Sequence, residues 1–173
     1  MLENEEIPNI WCLYDAYMRC VYVYKQFGDF EGVINMTKKC LKLIGTYKNA
    51  FKNQYWDVYM QYADALSEVG ECEQALSIHR EVVAHFEESG ELESEIDARL
   101  SISIDLEAMG RVEEALEVDK LNYERAVICF GVDSEGALTY YEFVAEDLEA
   151  LGREEEAEKI RNYVESKRDG HEM

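Results

Sequence analysis

Apolar residues recur along the chain with helical spacing, and the same pattern appears four times. The clearest face has residues at i, i+3, i+4 and i+7, namely Tyr59, Tyr62, Ala63 and Leu66. A glycine follows each copy, at positions 28, 70, 110 and 152, so the copies are 42, 40 and 42 residues apart. Because glycine readily adopts positive φ, each one predicts a tight turn between two antiparallel helices. A fixed period of this length is typical of stacked helical repeats.

The pattern predicts an all-α fold of about eight helices in four antiparallel pairs. The pairs are expected at about 8–45, 49–88, 91–129 and 133–168, with a frayed tail at 169–173. The alternation in Leu100–Ile104 is strand-like, but it lies inside the third helical pattern, so we predict helix there. The one proline, Pro8, stands where it can open the first helix. Without a proline-rich or glycine-serine-rich linker, residues 1–173 should form one continuous domain.

These features resemble the tetratricopeptide repeats, in the longer form found in kinesin light chains and many bacterial regulators. The resemblance covers roughly residues 9–168 and is strongest from Leu106 to Leu151. That segment contains Gly110-Arg111-Val112-Glu113-Glu114-Ala115-Leu116, Phe130-Gly131-Val132-Asp133 and Leu148-Glu149-Ala150-Leu151. The resemblance implies a right-handed superhelical solenoid in which the first helix of each pair lines a concave wall. It also implies protein or peptide binding rather than catalysis.

The sequence departs from the family pattern at four positions. Val33 and Cys40 stand where small alanines are usual, and Arg99 and Asp119 stand where bulky or aromatic residues are usual. These departures affect the expected packing of individual repeats more than the fold.

Acidic residues dominate the chain, with 38 Asp and Glu against 17 Lys and Arg and a net charge of −21. Residues 1–52 are nearly neutral, so the rest of the chain carries the excess. Binding to nucleic acid requires a basic surface, so nucleic acid is not expected as a direct partner. A basic cluster lies around the second helix, at Lys38, Lys39, Lys42, Lys48 and Lys52. It lacks the arginine and aromatic pattern of a nucleic-acid surface and indicates a solvated face.

A second stripe on each long helix combines acidic with apolar side chains and differs from the packing stripe. We name its members the inner stripe: Asp15, Met18, Tyr22, Asp57, Met60, Asp64, Glu68, Asp97, Leu100, Ile104, Glu107, Glu142, Glu146 and Glu149. By the family resemblance this stripe faces the concave wall, where nine carboxylates would oppose one lysine, Lys25. Such a groove suits a basic, partly apolar peptide or helix of another protein, and it disfavours an acidic tail. The plainer alternative is the solvated face of an acidic protein.

Two other functions remain open. An acidic inhibitor or nucleic-acid mimic could block the basic channel of an enzyme through acids of the second helices, Glu113, Glu114, Glu117, Glu154, Glu155 and Glu156. A self-associating scaffold or homodimer could instead pair through apolar residues of the first helix, Ile10, Trp11, Leu13 and Tyr14. Terminal repeats with an uncapped apolar face favour such pairing.

Catalytic and metal-binding signatures are absent from the sequence. It has no phosphate-binding loop, no nucleophile elbow and no plausible Cys–His pair, so we expect no enzyme activity and no cofactor. His79 and His85 would lie on different faces of one helix, which suits no metal site. Cys20 and Cys40 fall on packing faces and are expected to be buried. Five unpaired cysteines and no apolar signal segment favour a reduced cytoplasmic location.

Overall fold

The structure is a computed structural model that describes residues 9–51 and 54–171, without the side chains of residues 170 and 171. Its helices are α1 Ile10–Gln26, α2 Phe30–Thr46, α3 Tyr55–Glu68, α4 Cys72–Ser89, α5 Leu92–Ala108, α6 Val112–Phe130, α7 Glu135–Ala150 and α8 Glu154–His171. These described residues contain no strand, which confirms the all-α prediction and the helical assignment of Leu100–Ile104. Pro8, Lys52 and the last two residues of the expected tail lie outside the described residues. No described helix is both long enough and apolar enough to cross a bilayer.

The chain divides into two compact units, one ending at Ile78 and the other beginning at His79. In the first unit, α2 packs against both α1 and α3. In the second unit, α6 packs against α5 and α7, and α8 packs against α7. Helices therefore contact their neighbours in sequence, which is the packing rule of repeat proteins. Whether the two units act as one domain stays a prediction.

The four glycine turns share one pattern of backbone hydrogen bonds. At Gly110 the amide donates to the Glu107 carbonyl at 2.8 Å, and the Arg111 amide donates to the Leu106 carbonyl at 2.8 Å. This is the Schellman ending of a helix, and it requires the left-handed backbone seen at Gly110, where φ is 71°. The turns at positions 28, 70 and 152 repeat these bonds with φ of 68°, 88° and 71°. The sequence period thus corresponds to a repeated helix reversal.

Aromatic side chains build the core of the first unit. Phe51 follows α2, is 1% exposed, and lies between Trp11 and Tyr14, with ring centroids 4.5 and 5.2 Å from its own. Buried neighbours of Phe51 are Cys40, Ile44 and Val58. The first helix therefore contributes much of its apolar surface to its own unit.

The two cysteines expected in the core have different environments. Cys40 is fully buried as predicted, and burial raises the pKa of its thiol to about 12. The prediction for Cys20 is wrong, because its side chain is exposed. The adjacent Val21, only 1% exposed, is the residue that α1 buries instead.

The core of the second unit is apolar around α6, α7 and α8. Its main cluster contains Leu116, Leu138, Val144, Ala145, Leu148, Ala157, Ile160 and Val164. Tyr123 and Tyr141 stack beside it with ring centroids 4.2 Å apart. This cluster holds α7 between α6 and α8 and so fixes the direction of the α7 inner stripe.

Polar groups are also buried in the second unit, which the sequence pattern did not predict. His79 Nδ1 lies 2.7 Å from Asp105 Oδ2, and both side chains are almost fully enclosed. Glu95 is 1% exposed and binds the guanidinium groups of Arg99 and Arg125. Arg99 can therefore replace the bulky apolar residue usual at its position, because a buried carboxylate neutralises it.

Candidate protein-binding surface

In the first unit, an ion pair joins the inner-stripe sides of α1 and α3. Lys25 Nζ on α1 lies 3.8 Å from the Asp64 carboxylate on α3. Both side chains are about one-third exposed, so the pair sits at the surface. The long Lys25 side chain thus bridges α1 and α3, both of which pack against α2.

The α1 segment of the inner stripe lines an open groove. The groove has a volume of 610 Å³ and is lined by Asp15, Met18, Arg19, Tyr22 and Val23. Tyr22 is 65% exposed, whereas Met18 is half-buried with its sulfur 3.7 Å from the Cys40 thiol. Tyr22 is therefore the accessible aromatic surface of this groove, and Met18 belongs partly to the core. Arg19 adds a positive charge that the inner stripe as read from the sequence did not include.

The α3 segment is exposed at its two ends and half-buried between them. Asp57 and Glu68 are exposed, whereas Met60 and Asp64 are half-buried. The opposite face of α3 is fully packed, with Tyr62, Ala63 and Leu66 buried. The predicted separation between an inner stripe and a packing stripe therefore agrees with the burial along this helix.

In the second unit, side chains of α5 and α7 also meet. The Tyr140 hydroxyl on α7 donates to Asp97 Oδ1 on α5 at 3.3 Å. Burial, followed by the Asp97 charge, raises the pKa of Tyr140 to about 12. Further along the same helices, loss of hydration and then the charge of Glu146 raise the pKa of Glu107. Like charges from two helices therefore meet on this side of the unit.

Apolar surface accompanies these acids on α5. Ile104 is 51% exposed, whereas Leu100 is half-buried. Ile104 occupies the position in α5 that Tyr22 occupies in α1, counted from the start of each stripe. Each unit thus presents at least one accessible apolar side chain beside its acids.

Arginines of α8 neutralise two acids of the α7 segment. Arg168 Nη1 lies 2.6 Å from Glu142 Oε1, and Arg161 forms an ion pair with Glu149. A groove of 490 Å³ runs between these helices and is also lined by Glu146. The sequence predicted nine carboxylates against one lysine, and it therefore overestimated the negative charge of the inner stripe on α7. Arg161 and Arg168 are seven residues apart, a spacing that places both on one face of α8.

The acids of the second helices are exposed, but basic residues close to them in sequence neutralise part of their charge. Ion pairs join Arg111 to Glu114 at 2.7 Å and Lys120 to Glu117 at 2.8 Å. Arg153 pairs in the same way with Glu156 at 2.7 Å. Three of the six acids proposed for an inhibitor surface therefore have a nearby cation.

The apolar end of α1 is divided between core and surface. Trp11 and Leu13 are 45% and 37% exposed, whereas Ile10 and Tyr14 are half-buried against the first core. Phe27, where α1 ends, is 84% exposed. Accessible apolar area for self-association is thus present on α1, but it is smaller than the sequence alone suggested.

Three carboxylates of the second unit converge between helices, a feature absent from the sequence predictions. Glu107 of α5, Asp119 of α6 and Asp147 of α7 each place an oxygen within 4.8 Å of the others. Burial, together with the charges of neighbouring acids, raises the pKa of Asp119 to about 6 and that of Asp147 to about 7. Carboxylate oxygens are ligands suited to hard cations.

The chain is similar to solved structures but matches no known sequence family. No protein-family model matches the chain, and no curated protein sequence matches it. Two similar crystal structures are of a kinesin light chain candidate from Podosopora anserina with nearly identical TPR-like repeats. One has 12% identity and a TM-score of 0.47, over 91% of this chain and 95% of its own. The other, a single-substitution variant, has 12% identity and a TM-score of 0.49, over 92% and 96%.

Proposed function

We propose that the chain is a protein-interaction module whose inner stripe binds a basic, partly apolar segment of another protein. The observation that carries this proposal is the pairing of long helices within each unit. Lys25 and Asp64 link α1 to α3, and Tyr140 and Asp97 link α5 to α7. A segment bound at either of these contacts would meet side chains of two long helices.

Charge supports a basic ligand. The exposed acids Asp57, Glu68 and Glu146 lie on these helices, and the chain has a net charge of −21. A negative surface accelerates association with a cationic partner and disfavours acidic ones. Added salt should therefore weaken the complex, chiefly through a slower association rate.

Exposed apolar side chains support a ligand that is not purely cationic. Tyr22 and Ile104 are more than half exposed and lie among the acids of their own helices. Aromatic and aliphatic anchors supply much of the affinity at protein interfaces, whereas exposed charges chiefly set orientation and rate. An amphipathic helix with basic residues flanking an apolar face has the chemistry that matches.

The test is peptide binding by fluorescence anisotropy. The probe is a labelled synthetic helix of Lys and Leu, and a Glu and Leu peptide is the negative control. A triple variant reverses three inner-stripe charges through Asp57→Lys, Asp64→Lys and Glu146→Lys. It should bind the Lys and Leu peptide at least about tenfold more weakly at about 50 mM salt. Raising the salt to about 300 mM should reduce the difference in peptide affinity between this variant and the unmodified protein.

A second triple variant controls for net charge. Glu113→Lys, Glu154→Lys and Glu155→Lys make the same charge change on exposed positions of α6 and α8. These substitutions should leave peptide affinity within about threefold. If both variants lose the same peptide affinity, the binding depends on the net charge of the protein and not on the inner stripe. A larger loss in the second variant would favour the inhibitor surface instead.

A further inference from the structure

The carboxyl cluster of the second unit joins three consecutive helices. Glu107, Asp119 and Asp147 come from α5, α6 and α7, and one oxygen of each lies within 4.8 Å of the others. Asp119 is 1% exposed and Asp147 is 2% exposed, whereas Glu107 keeps contact with solvent. The cluster is thus closed on its inner side and accessible at one edge.

The two buried members have unused ligand oxygens. Ser103 Oγ donates to Asp119 Oδ2 at 2.7 Å, which fixes one oxygen of that carboxylate. Asp119 Oδ1 and Asp147 Oδ2 are enclosed and receive no hydrogen bond from a donor group, although the two carboxyl groups are close enough to share a proton. Buried polar atoms are nearly always paired, so two such oxygens beside each other indicate a missing partner.

The electrostatic surroundings indicate that this partner carries positive charge. Three carboxyl groups, two of them almost fully enclosed, lie within 4.8 Å of one another here, and a fourth acid, Glu146, directly precedes Asp147 on α7. Carboxylates buried together without a counter-charge destabilise the fold unless a proton or a cation joins them.

We propose that Glu107, Asp119 and Asp147 form a binding site for one hard divalent cation, Ca²⁺ in preference to Mg²⁺ because Ca²⁺ accepts an irregular set of oxygen ligands. The donors are all oxygens, which suits Ca²⁺ and Mg²⁺ rather than softer metals. Three oxygens that lie within 4.8 Å of one another can contact one ion at Ca²⁺–oxygen distances of about 2.3–2.6 Å. Glu107 at the solvent edge gives the ion access, and water would complete its coordination. The ion would clamp α5, α6 and α7 together.

Calorimetric titration of chelator-treated protein with CaCl₂, and separately with MgCl₂, tests this site at constant ionic strength. We expect saturable binding of one Ca²⁺ per chain and weaker binding of Mg²⁺. Excess Ca²⁺ should raise the thermal midpoint by about 3 °C or more relative to the chelated protein. Asp119→Asn and Asp147→Asn should each weaken Ca²⁺ binding at least about tenfold.

A surface acid supplies the matched control, because any strongly acidic protein attracts Ca²⁺. Glu113→Gln removes one charge from an exposed position of α6 and should leave the saturable binding unchanged. Asparagine keeps the shape of aspartate and relieves repulsion, so both asparagine variants should fold in chelator. If either unfolds, Glu107→Gln at the solvent edge is expected to show the same loss of Ca²⁺ binding.

Three results would overturn the proposal. Titration could give no saturable component, or Glu113→Gln could lose as much binding as Asp147→Asn. The third is a wild-type protein whose melting ignores Ca²⁺ while Asp147→Asn melts higher in chelator. That outcome would assign the cluster to carboxyl groups sharing a proton.

Discussion

Replacing Glu95 with glutamine tests the buried ion-pair network of the second unit. Glu95 Oε1 accepts hydrogen bonds from Arg99 Nε at 3.0 Å and from Arg125 Nε at 2.9 Å. Glu95 Oε2 accepts a third from an Arg125 terminal nitrogen at 2.6 Å. Glutamine preserves the side-chain length, removes the charge and leaves both guanidinium groups without their shared anion.

The expected loss of unfolding free energy is about 2 kcal/mol. Breaking a fully buried ion pair from one side costs about 3–5 kcal/mol. The cost is smaller here because Arg125 is 35% exposed and Arg99 keeps a second ion pair, with Glu87. Part of the freed charge is therefore solvated or still neutralised. For a chain of this size, about 2 kcal/mol lowers the thermal midpoint by about 4–8 °C.

Urea unfolding monitored by circular dichroism measures the change, and Glu87→Gln is the control. Glu87 pairs with the same Arg99 but its side chain is 46% exposed, so its loss should cost no more than about 1 kcal/mol. If the two substitutions cost the same, burial of Glu95 does not determine its contribution. A loss below about 0.5 kcal/mol for Glu95→Gln would refute the reasoning outright.

Acid pH provides a second reading of the same network. Burial by itself would raise the pKa of Glu95, but hydrogen bonds and charges from Arg125 and Arg99 outweigh it, so its pKa is lowered. The unfolded chain binds this proton more readily, and the network stabilises the fold above the ordinary glutamate pKa of about 4.3. That stability disappears as the pH falls through the lowered pKa. The difference between wild type and Glu95→Gln should be constant from about pH 6 to 8 and shrink at lower pH.

Four further predictions concern packing, turns and thiols. Gly110→Ala should cost about 1–2 kcal/mol in urea unfolding, since φ is 71° there, and an unchanged midpoint would contradict the strained turn. Gly45→Ala should instead stabilise the protein by about 0.5–1 kcal/mol, because a Cβ at this helical position meets nothing within 4 Å. Phe51→Ala should cost about 3–5 kcal/mol, because the ring is 1% exposed; a cost below 1 kcal/mol would contradict its core role. Cys20 should react rapidly with a thiol reagent, whereas buried Cys40, with a pKa of about 12, should react only on unfolding; equal rates would contradict the assigned environments.

The helices and their reversals could be predicted because their determinants are local. A glycine such as Gly110 ends a helix through its own backbone conformation and hydrogen bonds to the preceding turn. The apolar spacing of Tyr62, Ala63 and Leu66 selects the face that becomes buried. Cys20 shows the limit of this reasoning, since the spacing names a face but not how far a neighbouring helix covers it.

Polar groups between helices could not be predicted because their partners are distant in sequence. His79 and Asp105 are 26 residues apart, and Glu95 and Arg125 are 30 apart. A periodic pattern indicates that each side chain faces a neighbour, but not which polar residue of that neighbour it meets. The same holds for Asp119 and Asp147. The sequence places each of them on a helix, but only the packing of the two helices shows that they meet.

The candidate binding surface lies between these cases. On α3 the packing stripe is buried at Tyr62 and the inner stripe is exposed at Asp57, while the binding role of the inner stripe stays a prediction. Its local charge depended on tertiary contacts, because Arg161 and Arg168 reach the α7 acids from α8. The net charge of the groove therefore depends on basic residues of the neighbouring helix as well as on the acids of the stripe.

Nuclear magnetic resonance titration of the labelled protein with the Lys and Leu helix tests the binding surface most directly. We expect saturable shifts and line broadening concentrated at inner-stripe positions, including Tyr22, Asp57, Ile104 and Glu146. Resonances of Glu113 and Glu155 on the second helices should change little. Perturbations centred on those second-helix acids, or spread evenly over all exposed acids, would contradict it.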